Sequence, residues 1–149
     1  MVRHQIVRFG RKGITGSNIL LGSLAMMLLI TVIQTTYADN GVFLNSSKND
    51  KIVSFTVSSG NDSPPIYGFI ITIVDGHYSK INESPAGWSA GIIKYQAVIW
   101  TTKSHPIEPG STENNFAIEV RQSGQYTINW TVMDYTMQPV AWGTTTITV

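Results

Sequence analysis

The chain has 149 residues, no cysteine, ten Lys or Arg against nine Asp or Glu, and a formal net charge of +1. The absence of cysteine excludes thiol catalysis, disulfides and cysteine-ligated zinc or iron–sulfur sites. The length suits one domain after an N-terminal segment, and the isolated basic residues argue against a nucleic-acid partner, which needs a continuous basic surface.

The first forty residues have the pattern of an export leader. The basic residues of its start are Arg3, Arg8, Arg11 and Lys12. An uncharged stretch follows, with an apolar segment at residues 19–33. Thr36 and Ala38 then place small residues three and one positions before Asp39, as signal peptidase requires. The pattern predicts export, with cleavage between Ala38 and Asp39.

This cleavage divides the chain into a signal peptide or membrane anchor, residues 1–38, and a domain, residues 39–149. We expect a hydrophobic helix in the first segment. The domain has six Lys or Arg against nine Asp or Glu, which gives it a formal charge of −3. We expect it to be extracellular or at the cell surface, and anchored to the membrane if the N-terminal segment is retained.

From Val42 onward, apolar and polar residues alternate with period two, and Gly, Pro, Asn, Asp or Ser interrupt the pattern at intervals of roughly 8–12 residues. Residues 77–91 are irregular. The pattern predicts strands near 42–44 and at 51–58, 66–74, 92–102, 115–121, 125–133 and 140–149. About seven strands with this spacing are typical of an all-β, immunoglobulin-like antiparallel sandwich.

Residues 123–132, with the sequence Ser-Gly-Gln-Tyr-Thr-Ile-Asn-Trp-Thr-Val, resemble the penultimate strand of an immunoglobulin-like domain, including its tyrosine corner. The resemblance implies that the Tyr126 hydroxyl bonds to upstream backbone and that Ile128 faces the core. Antibody domains have a cystine at this point, so the chain is more similar to the cysteine-free sandwiches of bacterial and archaeal cell surfaces.

A second resemblance concerns a Pro-x-Gly-Trp segment at residues 85–88, followed by residues 98–101 and 106–110. This order is similar to secreted sandwich domains in which the Pro-x-Gly-Trp segment covers one sheet. Some of those domains bind copper through an N-terminal histidine. A cut after Ala38 leaves Asp39 first, so that ligand is missing here.

The leader also resembles the site at which prepilin peptidase cuts archaeal pilins and archaellins, in the run Arg11-Lys12-Gly13-Ile14. Those filament subunits join an N-terminal apolar helix to an immunoglobulin-like sandwich. The resemblance implies an alternative cut between Gly13 and Ile14, with the apolar segment retained. Cleavage after Ala38, an uncut anchor and a pilin-like subunit all remain open from the sequence.

Metal and cofactor chemistry has little support in the domain. Its two histidines, His77 and His105, each lie beside a turn and have no spaced partner. Met133 and Met137 are soft donors that would suit copper, but a metal site needs about three or four convergent ligands. We therefore predict no metal and no cofactor.

Catalytic chemistry has no clear motif either. The carboxylates Glu108, Glu113 and Glu119 lie in or near one loop and strand, and a glycosidase pair needs two of them about 5–10 Å apart in a cleft. There is no Gly-x-Ser-x-Gly run. We predict no catalytic residues and no enzymatic activity.

Four glycosylation sequons begin at Asn45, Asn61, Asn82 and Asn129. The sequons at Asn61 and Asn82 are followed directly by Pro64 and Pro85, and a proline at that position disfavours transfer of the glycan. Asn45 and Asn129 are therefore the predicted acceptors. Trp88 and Trp142 lie beside glycines in less regular segments and are the better candidates for exposure, where they would form a carbohydrate platform. Packing in the core is the favoured use of the tryptophans, because a cysteine-free sandwich needs large core residues.

The sequence predicts a non-catalytic, exported domain with a role in cell-surface structure, adhesion or protein–protein interaction. Its expected partners are cell-surface or envelope proteins, with glycan as a further ligand class. A pilin-like filament subunit and a carbohydrate- or copper-binding secreted module are the alternatives.

Overall fold

The computed structural model of the protein describes residues 34–37, 41–94 and 96–149. They form ten strands: β1 (Gln34–Tyr37), β2 (Phe43–Asn49), β3 (Ile52–Ser58), β4 (Gly68–Ile73), β5 (Tyr78–Glu83), β6 (Trp88–Ile93), β7 (Ala97–Thr102), β8 (Thr112–Val120), β9 (Gln125–Met133) and β10 (Pro139–Thr148). Within these residues no helix is long and apolar enough to span a membrane.

The predicted N-terminal hydrophobic helix falls outside the described residues. So do both predicted cleavage positions, Gly13 with Ile14 and Ala38 with Asp39. The boundary between residues 1–38 and 39–149 therefore stays a prediction.

The strands form two antiparallel sheets of five. The first sheet has the order β1-β2-β3-β8-β5, and the second sheet has the order β10-β9-β4-β7-β6. Their apolar faces pack together, because alternate residues of the central strands are fully buried, as at Val53, Phe55 and Val57 in β3. The predicted all-β antiparallel sandwich is confirmed.

Aromatic side chains fill the core of this cysteine-free domain. Phe69 of β4 stacks on Trp100 of β7 with ring centroids 5.6 Å apart, and its edge meets Phe116 of β8 at 5.0 Å. Phe55 and Trp88 complete the cluster. Because each aromatic side chain buries roughly 150–250 Å², this cluster supplies much of the packing between the two sheets.

The strand count differs from the expected seven. The segment predicted to be irregular contains β5 and most of β6. Both are edge strands, and only one of the six residues in each is fully buried. An edge strand of this kind has no regular alternation of buried and exposed residues. The search for alternating apolar and polar residues therefore did not predict these two strands.

The prediction of a single strand at residues 92–102 is also wrong, because a turn divides this segment between two strands. β6 ends at Ile93, Lys94 adopts a positive φ of 51°, and β7 begins at Ala97. The first predicted strand is longer than expected: β2 reaches Asn49 and turns into β3 through Asp50, whose φ is 54°. The turn after β6 contains no glycine or proline, so its signal was weak. Residues 45–49 are all polar, so the alternation of apolar and polar residues did not reveal the rest of β2.

β1 lies within the segment assigned to the leader. It pairs antiparallel with β2, from Gln34 opposite Ser46 to Tyr37 opposite Phe43. β1 is therefore an edge strand of the first sheet. A cut after Ala38 would remove it and leave β2 at that edge.

Candidate functional site

The tyrosine corner is formed at the start of β9. The Tyr126 hydroxyl donates a hydrogen bond to the carbonyl of Gln122, four residues upstream. Ile128, two residues further along β9, is fully buried. Tyr126 thus has the structural role that the resemblance implied, and ties the β8–β9 connection to the strand that follows it.

Trp88 belongs to the core. Gly87 adopts a φ of 78°, and its carbonyl accepts a hydrogen bond from Thr102 Oγ1 at 2.9 Å. This turn brings Trp88 into the sandwich, where 7% of the residue is exposed and its ring meets Phe116 at 5.2 Å. Trp88 is therefore not an exposed platform residue and serves in packing, because its side chain faces the first sheet across the core.

Trp142 lies on the surface, with 66% of the residue exposed. It is opposite Thr131 in the β9–β10 ladder, on the outer face of the second sheet. Trp88 and Trp142 are therefore not brought together, since one fills the core and the other faces outward. The two do not form the predicted platform.

Trp142 instead belongs to a group of exposed or half-buried apolar and aromatic residues on and beside the β9–β10 hairpin. We call this group the aromatic patch: Tyr67, Tyr135, Met137, Pro139 and Trp142. Tyr135 is 77% exposed, and its ring meets that of Tyr67 edge to face at 6.4 Å. Pro139 and Trp142 line a shallow apolar depression together with Thr131. Tyrosine, tryptophan and methionine are the residues enriched in protein interfaces.

Asp134 holds the hairpin turn in place. Its Oδ1 accepts hydrogen bonds from the Thr136 amide at 2.8 Å, the Thr136 hydroxyl at 2.7 Å and the Gln138 amide at 3.0 Å. The bond from the Thr136 side chain, followed by that from the Gln138 backbone, holds the pKa of Asp134 below its ordinary value. The turn therefore presents Tyr135 and Met137 from a constrained backbone.

The aromatic patch adjoins a sheet without charge. In the described structure, no residue of β10, β9, β4, β7 or β6 is charged. The register places Trp142, Thr131, Ile70 and Ile99 in one row across the outer face. A second row contains Thr144, Asn129, Thr72, Ala97 and Ile93. We call the outer face of the second sheet, which contains both rows, the uncharged face.

The first sheet is different. Its strands contain Lys48, Lys80, Glu83, Glu113 and Glu119. The Lys80 ammonium and the Glu119 carboxylate lie 3.1 Å apart at its surface. Charged side chains of this kind keep a sheet face hydrated and edge strands unpaired. The unequal distribution of charge between the two sheets is present in the sequence, but it could be recognised only when the strands were assigned to their sheets.

The two predicted glycosylation acceptors lie on different sheets. Asn45 is half-buried in β2. Asn129 is exposed in β9, where its Oδ1 accepts a hydrogen bond from Thr144 Oγ1 at 2.8 Å. Asn129 therefore lies within the uncharged face. Whether either residue carries glycan stays a prediction.

The two histidines considered for copper are separated. His77 borders a depression beside the tyrosine corner, together with Arg121 and Tyr126. His105 lies at the other end of the sandwich, beside Gly87, with its Nδ1 2.9 Å from Ser104 Oγ. Among the described residues, no three His, Asp or Glu side chains are close enough together to hold a metal ion.

Two of the three carboxylates considered for catalysis are also far apart. Glu113 and Glu119 are both in β8, six residues apart, which is about 20 Å along a strand. Two carboxylates that far apart do not flank one glycosidic bond, which needs a separation of about 5–10 Å. Glu119 is also paired with Lys80. Glu119 therefore has a structural use, and it does not form a catalytic pair with Glu113.

No protein-family model matches the chain, and no curated protein sequence matches it significantly. Among solved structures, it is similar to an uncharacterized protein from Nocardia farcinica whose crystal structure reveals an immunoglobulin-like fold. The TM-score is 0.51 at 16% sequence identity, over 78% of this chain and 96% of the other. The likeness supports an immunoglobulin-like sandwich as the fold.

Proposed function

We propose that this protein is a non-catalytic, extracytoplasmic immunoglobulin-like domain that acts in cell-surface structure, adhesion or protein–protein interaction. The single observation that carries the interaction role is the aromatic patch beside the uncharged face. Exposed apolar patches of this kind mark interaction sites in soluble proteins. The partner class that suits it is another surface or envelope protein, because charge is depleted and aromatics are enriched at the centre of protein interfaces.

The extracytoplasmic location rests on the leader pattern of residues 1–38. The basic start, the uncharged apolar segment and the small residues Thr36 and Ala38 are the features that the export machinery reads. The absence of cysteine gives no information on the compartment, since a domain of this size can be stabilised by its aromatic core alone.

The filament-subunit alternative has one observation in its favour. β1 pairs with β2 along four residues. A mature chain that starts at Asp39 would lose this strand, whereas one that starts at Ile14 or is uncut would keep it. Retention of the N-terminal segment therefore agrees better with the fold, and it is common to a pilin-like subunit and a membrane-anchored domain.

The carbohydrate- and copper-binding alternatives have less support. Burial of Trp88 leaves Trp142 as the one exposed residue of the predicted sugar platform. His77 and His105 lie at opposite ends of the sandwich. A single exposed tryptophan on a flat face is a weaker basis for sugar binding than for a contact with protein.

The first test is the N-terminus and location of the mature protein in the cells that produce it. Intact mass and terminal sequencing distinguish starts at Asp39, Ile14 and Met1. Protease added to intact cells should digest the domain while a cytoplasmic control protein survives. A start at Asp39 would count against the filament and anchor alternatives. Protection from protease until the cells are lysed would overturn the extracytoplasmic role.

A further inference from the structure

We propose that the uncharged face of the second sheet is a homotypic contact surface, on which a second copy of this chain docks face to face. The inference rests on the proposed function, because it names the partner of the same surface. It depends on three properties of that face: its lack of charge, the chemistry of its polar groups and its size.

The distribution of charge is the first argument. All charged residues of the described domain lie in the first sheet or in turns and loops, as in Asp75, Lys94, Lys103 and Asp134 around the second sheet. The second sheet thus has an uncharged centre and a charged rim, which is the anatomy of a protein interface. A sheet face that only meets water has no physical reason to exclude Lys and Glu while the opposite sheet contains both.

The chemistry of the face favours an identical partner. In a two-fold contact the same patch occurs on both copies, so each charged group near the axis meets a like charge and is repelled. Hydroxyl and amide groups avoid this conflict, because each both donates and accepts hydrogen bonds. The polar residues of the face are of these two kinds, such as Thr72, Asn129 and Thr144, whose row lies beside the row that contains the apolar Ile70 and Ile99.

The size of the face suits a stable dimer. Its five strands have six to ten residues each. With about 4.8 Å between strands and about 3.3 Å per residue, they give a flat area on the order of 600 Å². Side-chain relief increases the accessible area toward the roughly 800 Å² that each partner contributes to an interface of standard size. The aromatic patch at one corner supplies the large side chains, Tyr135 and Trp142, that dominate interface energetics.

Docking and glycosylation at Asn129 exclude each other. Asn129 is in the second row of the face, next to Thr72 and Thr144. A glycan on it would cover the centre of the surface and prevent a second copy from approaching. We therefore expect copies that dock to be unmodified at Asn129, whereas Asn45, on the first sheet, is free of this restriction.

The absence of cysteine from the full chain permits a clean cross-linking test. Thr72→Cys places one thiol at the centre of the uncharged face, and Thr131→Cys and Thr144→Cys place it on the neighbouring strands. Thr56→Cys is the matched control, because Thr56 is a half-buried, outward-facing threonine on a central strand of the first sheet. It is made together with Asn45→Gln, since Asn45 lies opposite Thr56 and a glycan there would shield the thiol. Each full-length variant is treated with a short bis-maleimide in the membranes or detergent extract of producing cells, and adducts are identified by mass.

We expect at least one face variant to give a homodimeric adduct at about tenfold or more the yield of Thr56→Cys. A lysine on the face should reduce that yield about tenfold or more, since like charges then meet across the contact. It is introduced as Thr72→Lys in Thr131→Cys or Thr144→Cys, and as Thr144→Lys in Thr72→Cys. A Thr56→Lys substitution should leave the dimer yield unchanged. A loss of dimer caused by a lysine on the face excludes association through the N-terminal segment as the cause, because that substitution leaves the segment intact.

Equal dimer yields from both sheets, or no dimer from any face variant, would overturn the homotypic contact. Adducts from the face to a different protein would also overturn it, yet leave an interaction role for the domain. The location assay is independent of these results, so failure of the proposed function is recognised separately. Folding of each variant is checked by its circular-dichroism spectrum.

Discussion

The indole of Trp130 packs directly against the backbone of Gly143. The two residues are opposite each other in the β9–β10 ladder, and a Cβ at position 143 would lie 2.9 Å from Cζ2 of the indole. Trp130 is 1% exposed, so it has no free space into which to move. The glycine thus makes room for a large core side chain from the neighbouring strand.

Replacement Gly143→Ala should destabilise the domain by about 1–3 kcal/mol, the usual cost of overpacking a core. The reduced entropy of the unfolded chain acts in the opposite direction by only about 0.4–1 kcal/mol. Urea unfolding followed by circular dichroism measures the difference. Gly124→Ala is the control, because no atom outside its chain neighbours lies within 4 Å of its Cβ position. Equal stability of the two variants would contradict this view of the Trp130 contact.

The tryptophans Trp88 and Trp142 should respond in opposite ways to truncation. Trp88→Ala empties a site in the aromatic core and should reduce the free energy of unfolding by about 3–5 kcal/mol. Trp142→Ala removes an exposed side chain and should change it by no more than about 0.5 kcal/mol. Chemical denaturation distinguishes the two, with circular dichroism as the probe because it does not depend on the removed indole. A large loss of stability in Trp142→Ala would mean that the aromatic patch is structural.

The tyrosine corner predicts that Tyr126→Phe moderately reduces the free energy of unfolding. The substitution removes the hydrogen bond to the Gln122 carbonyl, and such a bond contributes about 0.5–1.5 kcal/mol. Gln122 is exposed, so water replaces the lost donor and keeps the cost in that range. Tyr135→Phe, at the exposed hairpin turn, serves as the control and should be neutral. Thermal unfolding of both variants checks the difference, and an unchanged melting temperature for Tyr126→Phe would count against the corner.

Acid should loosen the β9–β10 turn through Asp134. Hydrogen bonds to the ionised carboxylate keep its pKa in the folded protein below the ordinary value of 3.8. The stabilisation is therefore complete above the ordinary pKa and is lost as the pH falls through the lower folded pKa. An NMR titration of the Thr136 and Gln138 amides follows this loss directly.

In Asp134→Asn the amide oxygen still accepts these hydrogen bonds but no longer titrates. The Thr136 and Gln138 amide signals of this variant should stay unchanged through the acid range in which those of the natural protein move. A carboxyl pKa for Asp134 at or above 3.8 would show that the hydrogen bonds do not favour the ionised form.

Local pattern was enough to predict part of this fold. The alternation in β3, β8 and β9 predicted their buried residues correctly, from Val53 and Phe55 to Phe116 and Ile128. These strands have neighbours on both sides and one face against the core, so their buried residues recur at every second position. The tyrosine corner could also be predicted from the sequence, because its hydrogen bond joins residues only four positions apart.

Tertiary structure alone decided what depends on distant residues. It placed Trp88 in the core and Trp142 outside, although both lie beside a glycine, because burial is determined by the sheet that faces each one. It also revealed the uncharged face, since strands far apart in sequence join one sheet only through nonlocal pairing. The sequence by itself thus determined the fold class and most of the core, whereas the pairing of strands determined which surface is offered to a partner.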